Sequence, residues 1–258
     1  MDATFEVIKT QDDVKNEEPI VSFEGSTCKK ENKRDLDTMI EHLNEDTITD
    51  VSNKHYKARP SIVVYNVSNN KMIVDTETNG LGFKTDVLQI AWIVINDKHE
   101  ILTRGNMLIK NRKNRPAAFL INKISDEDLE KKGVLFYDVI SQFIDDLNMC
   151  DTVIGHNVQF DIKAICNDIT KSGISICDPD GNKIDNIFEG KKIECTMKMY
   201  KKFLEPIEKK RQTNGQEPLS KKLCEMYKYF FGTDFDNAHD AMADVMATFE
   251  CYDVLVCH

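Results

Sequence analysis

The chain has 258 residues, 44 of them acidic and 34 basic, for a formal net charge of −10. That length gives room for one full domain and an appendage. The longest mainly apolar stretch, Leu88 to Ile95, falls well short of the roughly 18 residues that span a bilayer, and Met1-Asp2-Ala3-Thr4-Phe5-Glu6 has neither the basic nor the apolar region of a secretory signal. These features exclude a membrane partner and predict a soluble, intracellular protein, cytoplasmic or nuclear.

The charge is unevenly spread. Residues 1–50 hold 14 acids and 6 bases, a net of −8, with few aromatics. This is the profile of a solvated, disordered arm, and the expected boundary is an acidic arm over 1–60 and a folded domain over 61–258. Residues 51–258 then carry 30 acids and 28 bases, a net of only −2, so the overall charge does not argue against nucleic-acid binding. Eight cysteines (Cys28, Cys150, Cys166, Cys177, Cys195, Cys224, Cys251 and Cys257) include no CxxC pair, and are expected as reduced, largely buried thiols.

Taken in chain order, β-branched Ser61-Ile62-Val63-Val64-Tyr65-Asn66-Val67 can form a strand, though its partner is not evident. Met72 to Thr76 is predicted as a short central strand. Asn79-Gly80 and Gly82 break the chain. Leu88–Asn96 and Ile101–Lys110 read as two more strands of an antiparallel meander. Ser125 caps a short helix that carries Asp126, Glu127 and Asp128 in its first turn and stops at Gly133. Phe136, Ile140, Phe143 and Leu147 fall on one face of a longer helix. Thr152–Gly155 is a buried strand, followed at His156-Asn157 by a helix with core face Ile162, Ile165 and Ile169. Asp178-Pro179-Asp180-Gly181-Asn182 marks a hairpin or surface loop within 174–191. A last strand is expected at Ile193–Thr196 and a helix at Met197–Leu204. A loose linker follows near Arg211–Gly215, and closing helices span Leu219–Phe231 and Asp240–Val256. Strands in a meander and then strand–helix alternation predict an α/β fold, a mixed sheet flanked by helices.

Side chains on a strand alternate faces, so Asp75 and Glu77 point the same way where an apolar strand runs into a glycine-broken loop. Asp161 lies in the first turn of a helix after a buried strand, and Asp244 in the second turn of one that begins near His239. Each has an ordinary structural reading: a strand end, a carboxylate facing a helix dipole, a cap. Likewise Asn157 reads as an N-cap and Phe160 as core. Small alanines at 241, 243 and 247 would let the last helix approach the sheet, with Met242, Val245, Phe249, Tyr252 and Val256 as its core stripe. Asp244 would then reach the mouth where Asp75 and Glu77 emerge. Four carboxylates gathered there suit hard divalent cations such as Mg²⁺ or Mn²⁺.

Three segments carry a resemblance over roughly residues 70–256. They are Val74-Asp75-Thr76-Glu77-Thr78-Asn79-Gly80-Leu81, Gly155-His156-Asn157-Val158-Gln159-Phe160-Asp161, and Ala238-His239-Asp240-Ala241-Met242-Ala243-Asp244. Together they resemble the DnaQ-like 3′→5′ exonucleases, the DEDD superfamily of the ribonuclease H-like fold. The spacing of five from His239 to Asp244 is similar to the branch with a catalytic histidine, DEDDh. The resemblance implies a five-stranded mixed sheet and a site in which Asp75, Glu77 and Asp244, supported by Asp161, hold two divalent ions, with His239 as general base. It implies that Thr78, Asn79, Gly80 and Leu81 hold the terminal nucleotide, and that Asn157 and Phe160 contact the next one. The basic clusters Lys110, Arg112, Lys113 and Arg115; Lys191-Lys192 with Lys198–Lys202; and Lys209, Lys210 and Arg211 are candidates for a phosphate track. The expected activity is hydrolysis of the 3′-terminal phosphodiester of DNA, single-stranded DNA favoured, releasing nucleoside 5′-monophosphates in repair or proofreading. The chain shows no polymerase segment, so proofreading would need a separate polymerase subunit. RNA 3′-end trimming is an alternative with the same site, and a non-catalytic nucleic-acid-binding module is another.

Overall fold

Nine residues, Asn70–Thr78, form the strand β2, and their alternation sends side chains into two different cores. Met72 and Val74 join one cluster, while Ile73 joins the other. The computed structural model describes residues 61–64, 69–82 and 85–257. The acidic arm expected over 1–60, and residues 65–67 of the strand expected at 61–67, lie outside the described residues.

β2 is the centre of a five-stranded sheet. It pairs antiparallel with β3 (Val87–Ile95), which pairs antiparallel with β4 (Ile101–Leu108). On its other side it pairs parallel with β5 (Cys150–Gly155), which pairs parallel with β7 (Lys192–Cys195). The spatial order is β4-β3-β2-β5-β7. Every residue of β3 is buried, so its sequence reads as a continuous apolar run rather than an alternation, as a strand covered on both faces requires. The short strand β1 (Ile62–Val63) finds its partner far along the chain, pairing parallel with β6 (Ile176–Cys177). The expected 174–191 loop therefore supplies a strand as well as its turn, in which the Gly181 N–H donates to the Asp178 carbonyl.

One face of the sheet is covered by α3 (Phe136–Leu147) and α4 (Gln159–Lys171), whose Phe136, Ile140, Phe143, Leu147, Ile162, Ile165 and Ile169 are all buried. Each fully buried large apolar side chain here stabilises the fold by about 1.5–3 kcal/mol. The opposite face receives α7 (Ala241–Val256), with Ala241, Ala247, Thr248 and Cys251 buried beside Val245 and Tyr252. Of the expected stripe, Val245 and Tyr252 are buried in the sheet core and Met242 and Phe249 pack half-buried against it, whereas Val256 is exposed. The small side chains of Ala241 and Ala91 in the same core let the start of the helix come close to the sheet.

The two short helices α1 (Pro116–Asn122) and α2 (Asp126–Lys132) follow β4. Ser125 caps α2, its side chain accepting from the Asp128 N–H at 3.0 Å. α2 ends at Gly133, where a Cβ would lie 2.2 Å from the Leu129 carbonyl oxygen and 2.7 Å from the Lys110 nitrogen, so only glycine lets the chain pass this close to Lys110. The helix expected at 197–204 is longer: α5 spans Thr196–Thr213 and passes through Pro206. Pro206 and Lys202 are exposed, so the carbonyl that loses its donor faces water and the helix continues. Arg211 is thus helical rather than part of a linker. The next helix, α6 (Leu223–Phe231), starts four residues later than expected. Among the described residues no helix is long and apolar enough to cross a membrane. Cys150, Cys195 and Cys251 are buried free thiols; Cys166, Cys177 and Cys224 are half-buried, and Cys257 is exposed.

Candidate active site

Asp75 and Glu77 leave β2 on the face covered by α7. Across the ladder, Ala91 stands opposite Asp75 and Gln89 opposite Glu77. The alanine leaves room for the start of α7, which brings Asp244 over the strand. Just before that helix the backbone turns sharply: Asn237 and His239 both take left-handed conformations, with φ of 57° and 72°. This turn exposes the His239 ring and aims it at the two carboxylates. One ligand atom from each of Glu77, His239 and Asp244 lies within 4.8 Å of the others, a set that a single cation could share. The His239 N–H also donates to Asp244 Oδ1 at 3.4 Å.

Asp161 arrives from the other face of the sheet. The Gly155 backbone makes this possible, because a Cβ there would meet the Val74 carbonyl oxygen at 2.9 Å and hold β5 and the chain after it away from β2. Asp161 is buried and its Oδ1 accepts two hydrogen bonds from Thr76, from the backbone N–H at 3.0 Å and from Oγ1 at 2.7 Å. Asn157 does not cap α4: the N-cap position belongs to Val158, and Asn157 sits at φ 67° with an exposed side chain.

The carboxylates raise one another's pKa. Burial, then Asp161, Asp244, Glu77 and Asp240, push Asp75 well above the usual carboxylate range. Burial, then Asp244, Asp161 and Asp240, push Glu77 up to about 8, while a hydrogen bond from Asn122 opposes the shift. Burial lifts Asp161 to about 7 against the two bonds from Thr76. Burial lifts Asp244 to about 6 against the His239 backbone N–H and the His239 charge. Burial is the largest influence on all four, and neighbouring carboxylates come next for Asp75 and Glu77. Concentrated, partly desolvated negative charge of this kind is relieved by a bound cation, and hard oxygen donors fit Mg²⁺ or Mn²⁺.

The chain matches the exonuclease family RNase T over residues 72–252, which takes in every one of these side chains. It belongs to that family. The fold of this RNase T exonuclease domain is that of the ribonuclease H-like exonucleases, and the domain is a nuclease hydrolase. Solved structures with the same fold include Escherichia coli exonuclease I in complex with a dT13 oligonucleotide (TM-score 0.55, 21% identity, covering 73% of this chain and 41% of that one). The zinc-bound form of the E. coli exonuclease I complex with single-stranded DNA is also similar (TM-score 0.54, 22% identity, 74% and 43% covered). So is an exonuclease I structure described as suggesting how processivity is achieved (TM-score 0.53, 20% identity, 74% and 44% covered). The chain spans less than half the length of these proteins. No curated protein matches it by sequence.

Around the carboxylates of this exonuclease domain, Leu81 projects into solvent, 85% exposed, beside the site. Thr78 Oγ1 donates to the Gly80 carbonyl at 2.7 Å. The Asn79 side chain is committed to the fold: it donates to Asp86 Oδ2 at 3.0 Å and the Lys113 carbonyl at 3.1 Å, and accepts from the Asp86 N–H. A cavity of about 590 Å³ opens between α5 and α6, lined by Asn157, Met197, Lys222, Phe235, His239 and Asp244. Phe160 lines a different, smaller hollow with Thr85 and Lys163, so Asn157 and Phe160 do not share one pocket.

Much of the expected basic track is occupied within the fold. Arg112 pairs with Asp86 at 3.5 Å and with the fully buried Asp168 at 3.2 Å, and lies over the Phe136 ring. Lys191 is buried and donates to the Leu147 and Cys150 carbonyls. Arg211 donates to the Glu217 carbonyl. Gln89, Asn122, Lys222 and Asp240 border the site and were not singled out by sequence reasoning. Only the cross-strand position of Gln89 opposite Glu77 could have signalled one of them.

Proposed function

We propose that this protein is a metal-dependent 3′→5′ exonuclease of the DEDDh kind that hydrolyses the 3′-terminal phosphodiester of single-stranded DNA and releases nucleoside 5′-monophosphates. The observation that carries the reading is the convergence of Asp75, Glu77, Asp161 and Asp244, from both faces of one sheet, with burial raising all four and Asp161 and Asp244 further raising Asp75 and Glu77. A purely structural cluster gains nothing from such repulsion. Two divalent ions, Mg²⁺ or Mn²⁺, held by these four residues would neutralise the scissile phosphate and the leaving oxygen and acidify the attacking water.

The chain's own groups do the rest. His239, exposed at the rim of the cavity and beside Glu77 and Asp244, takes the proton of the attacking water as general base. The backbone of Thr78–Leu81 receives the terminal nucleotide, with Leu81 against its base. Asn157 and the apolar lining of the cavity, Met197 and Phe235, receive a nucleotide further along the strand, and Phe160, in its separate hollow, offers a second surface for the strand. Single-stranded DNA is favoured because similar exonuclease I structures hold DNA oligonucleotides. RNA trimming would use the same residues. A role in repair or proofreading would need a polymerase or repair partner, for which residues 1–60 are a candidate arm.

The test is digestion of 5′-labelled single-stranded DNA and RNA of one sequence with Mg²⁺ or Mn²⁺, with and without chelator. A metal-dependent ladder shortening from the 3′ end, faster on DNA, is expected. Faster RNA trimming would reassign the substrate. Retained binding with no cleavage of either strand would leave a binding module.

A further inference from the structure

We infer that Gln89 is a positioning residue for His239, acting through the Asp240 carboxylate. The inference rests on the assignment of His239 as general base. It starts from the backbone: His239 occupies a left-handed conformation that a non-glycine residue adopts only when its surroundings hold it there. The turn that contains it is closed by one hydrogen bond, from the Asp240 N–H to the Asn237 carbonyl at 3.0 Å. The His239 side chain is exposed, so burial in the core does not orient it. Its direction is therefore set by the residues on either side.

Asp240 is the residue that anchors it. One carboxylate oxygen, Oδ1, caps α7 by accepting from the Met242 and Ala243 N–H groups at 3.1 and 3.2 Å. That bond pattern is ordinary for a helix N-terminus. The second oxygen is not needed for capping, and it accepts from Gln89 Nε2 at 3.1 Å. Gln89 is 5% exposed, and its Oε1 accepts from the Ala241 N–H at 3.4 Å, so one amide grips both residues that follow His239. The same Nε2 donates to Asn106 Oδ1 at 2.8 Å, which ties the amide to β4 and fixes its orientation. Gln89 is also the direct cross-strand neighbour of Glu77. A chain of short contacts thus joins the strand position beside Glu77 to the backbone that aims the imidazole.

A glutamine suits this place for a chemical reason. It offers a donor to a carboxylate and an acceptor to a backbone N–H without adding another negative charge beside Asp75 and Glu77. Displacement of a catalytic group by about 1 Å can cost on the order of a hundred-fold in rate.

The experiment is a double-mutant cycle on the full chain, read as single-turnover rates on 5′-labelled oligonucleotide. Gln89→Met keeps the volume and removes the bonds. It is expected to lower the rate constant about a hundred-fold with KM little changed, and to lower the thermal midpoint by the cost of the lost bonds whether or not His239 is present. In the His239→Ala background the same change should have no further effect on the rate, because the residue being positioned is gone. Gln89→Glu should be at least as damaging, since it sets one carboxylate against another. The pair Gln89→Glu with Asp240→Asn, which exchanges donor and acceptor but moves the charge opposite Glu77, should recover part of the rate lost in Gln89→Glu. Equal losses in the presence and absence of His239, or no rescue by the exchanged pair, would overturn the inference. An unchanged rate in His239→Ala alone would instead overturn the general-base assignment, so the two failures are distinguishable.

Discussion

Thr76 and Asp161, 85 residues apart in sequence, are joined by two hydrogen bonds to a single carboxylate oxygen. Thr76 points to the opposite face from Asp75 and Glu77, so it holds Asp161 at the top of the sheet from the side that α7 does not cover. Thr76→Val keeps the shape and removes one donor. Loss of a hydrogen bond to a charged group costs about 1.5–3 kcal/mol, and the variant should need a higher Mg²⁺ concentration for half-maximal activity. A metal titration that superimposes on the parent protein's would show that Asp161 does not depend on this bond.

Asp75→Ala should abolish turnover and leave the fold intact. It removes the carboxylate that its three neighbours most disfavour, so metal-free thermal stability at pH 8 should equal or exceed that of the parent. Circular dichroism melts in chelator, beside the labelled-oligonucleotide assay, check both halves. Full activity in this variant would remove the catalytic reading of the cluster.

Stability should depend on pH with a definite sign. Glu77, Asp161 and Asp244 have folded-state values raised to about 8, 7 and 6, whereas carboxylates in an unfolded chain titrate near 4. Between those limits the folded state binds more protons than the unfolded one, so stability falls as pH rises. The metal-free melting temperature should therefore decline from pH 5 to pH 8. Added Mg²⁺ or Mn²⁺ should reverse the decline, most strongly at the alkaline end. A flat metal-free profile over that range would contradict the proposed crowding of charge.

His239→Ala should lower turnover by two or more orders of magnitude, in the range of general-base losses, while preserving divalent-ion affinity. Its ring is close enough to Glu77 and Asp244 to share a cation with them. Isothermal titration with Mn²⁺ separates the two roles. A large loss of affinity would make His239 a ligand.

Arg112 and Lys222 should behave in opposite ways. Arg112→Met leaves the buried Asp168 with Lys171 as counter-ion and the Val87 N–H as donor, and should cost about 3 kcal/mol of stability without changing the salt dependence of DNA binding. Lys222 is exposed on the cavity wall. Its replacement by Ala should spare stability and reduce the slope of log affinity against log salt by about 0.7, the value for one phosphate contact on a single strand. Equal slopes in Lys222→Ala and parent would take the strand away from this cavity.

The sequence by itself determined the strand that carries Asp75 and Glu77, the common face of those two carboxylates, the meander, and the helices that bear Asp161 and Asp244. Period-two alternation and helical spacing are local, and the three motifs are contiguous, so they are legible without a fold. Tertiary structure alone decided what depends on the far side of a contact. The partner of Ile62–Val63 lies more than a hundred residues away. The helix through Pro206 continues because the freed carbonyl faces water, which sequence does not record. Val256 continues the stripe of Val245 and Tyr252 in sequence and is exposed in the fold. Arg112 resembles a phosphate ligand in sequence and is an internal counter-ion in the fold. Gln89 and Asp240, ordinary residues in isolation, become linked only when the antiparallel register sets Gln89 beside Glu77 and the start of α7 lands above it.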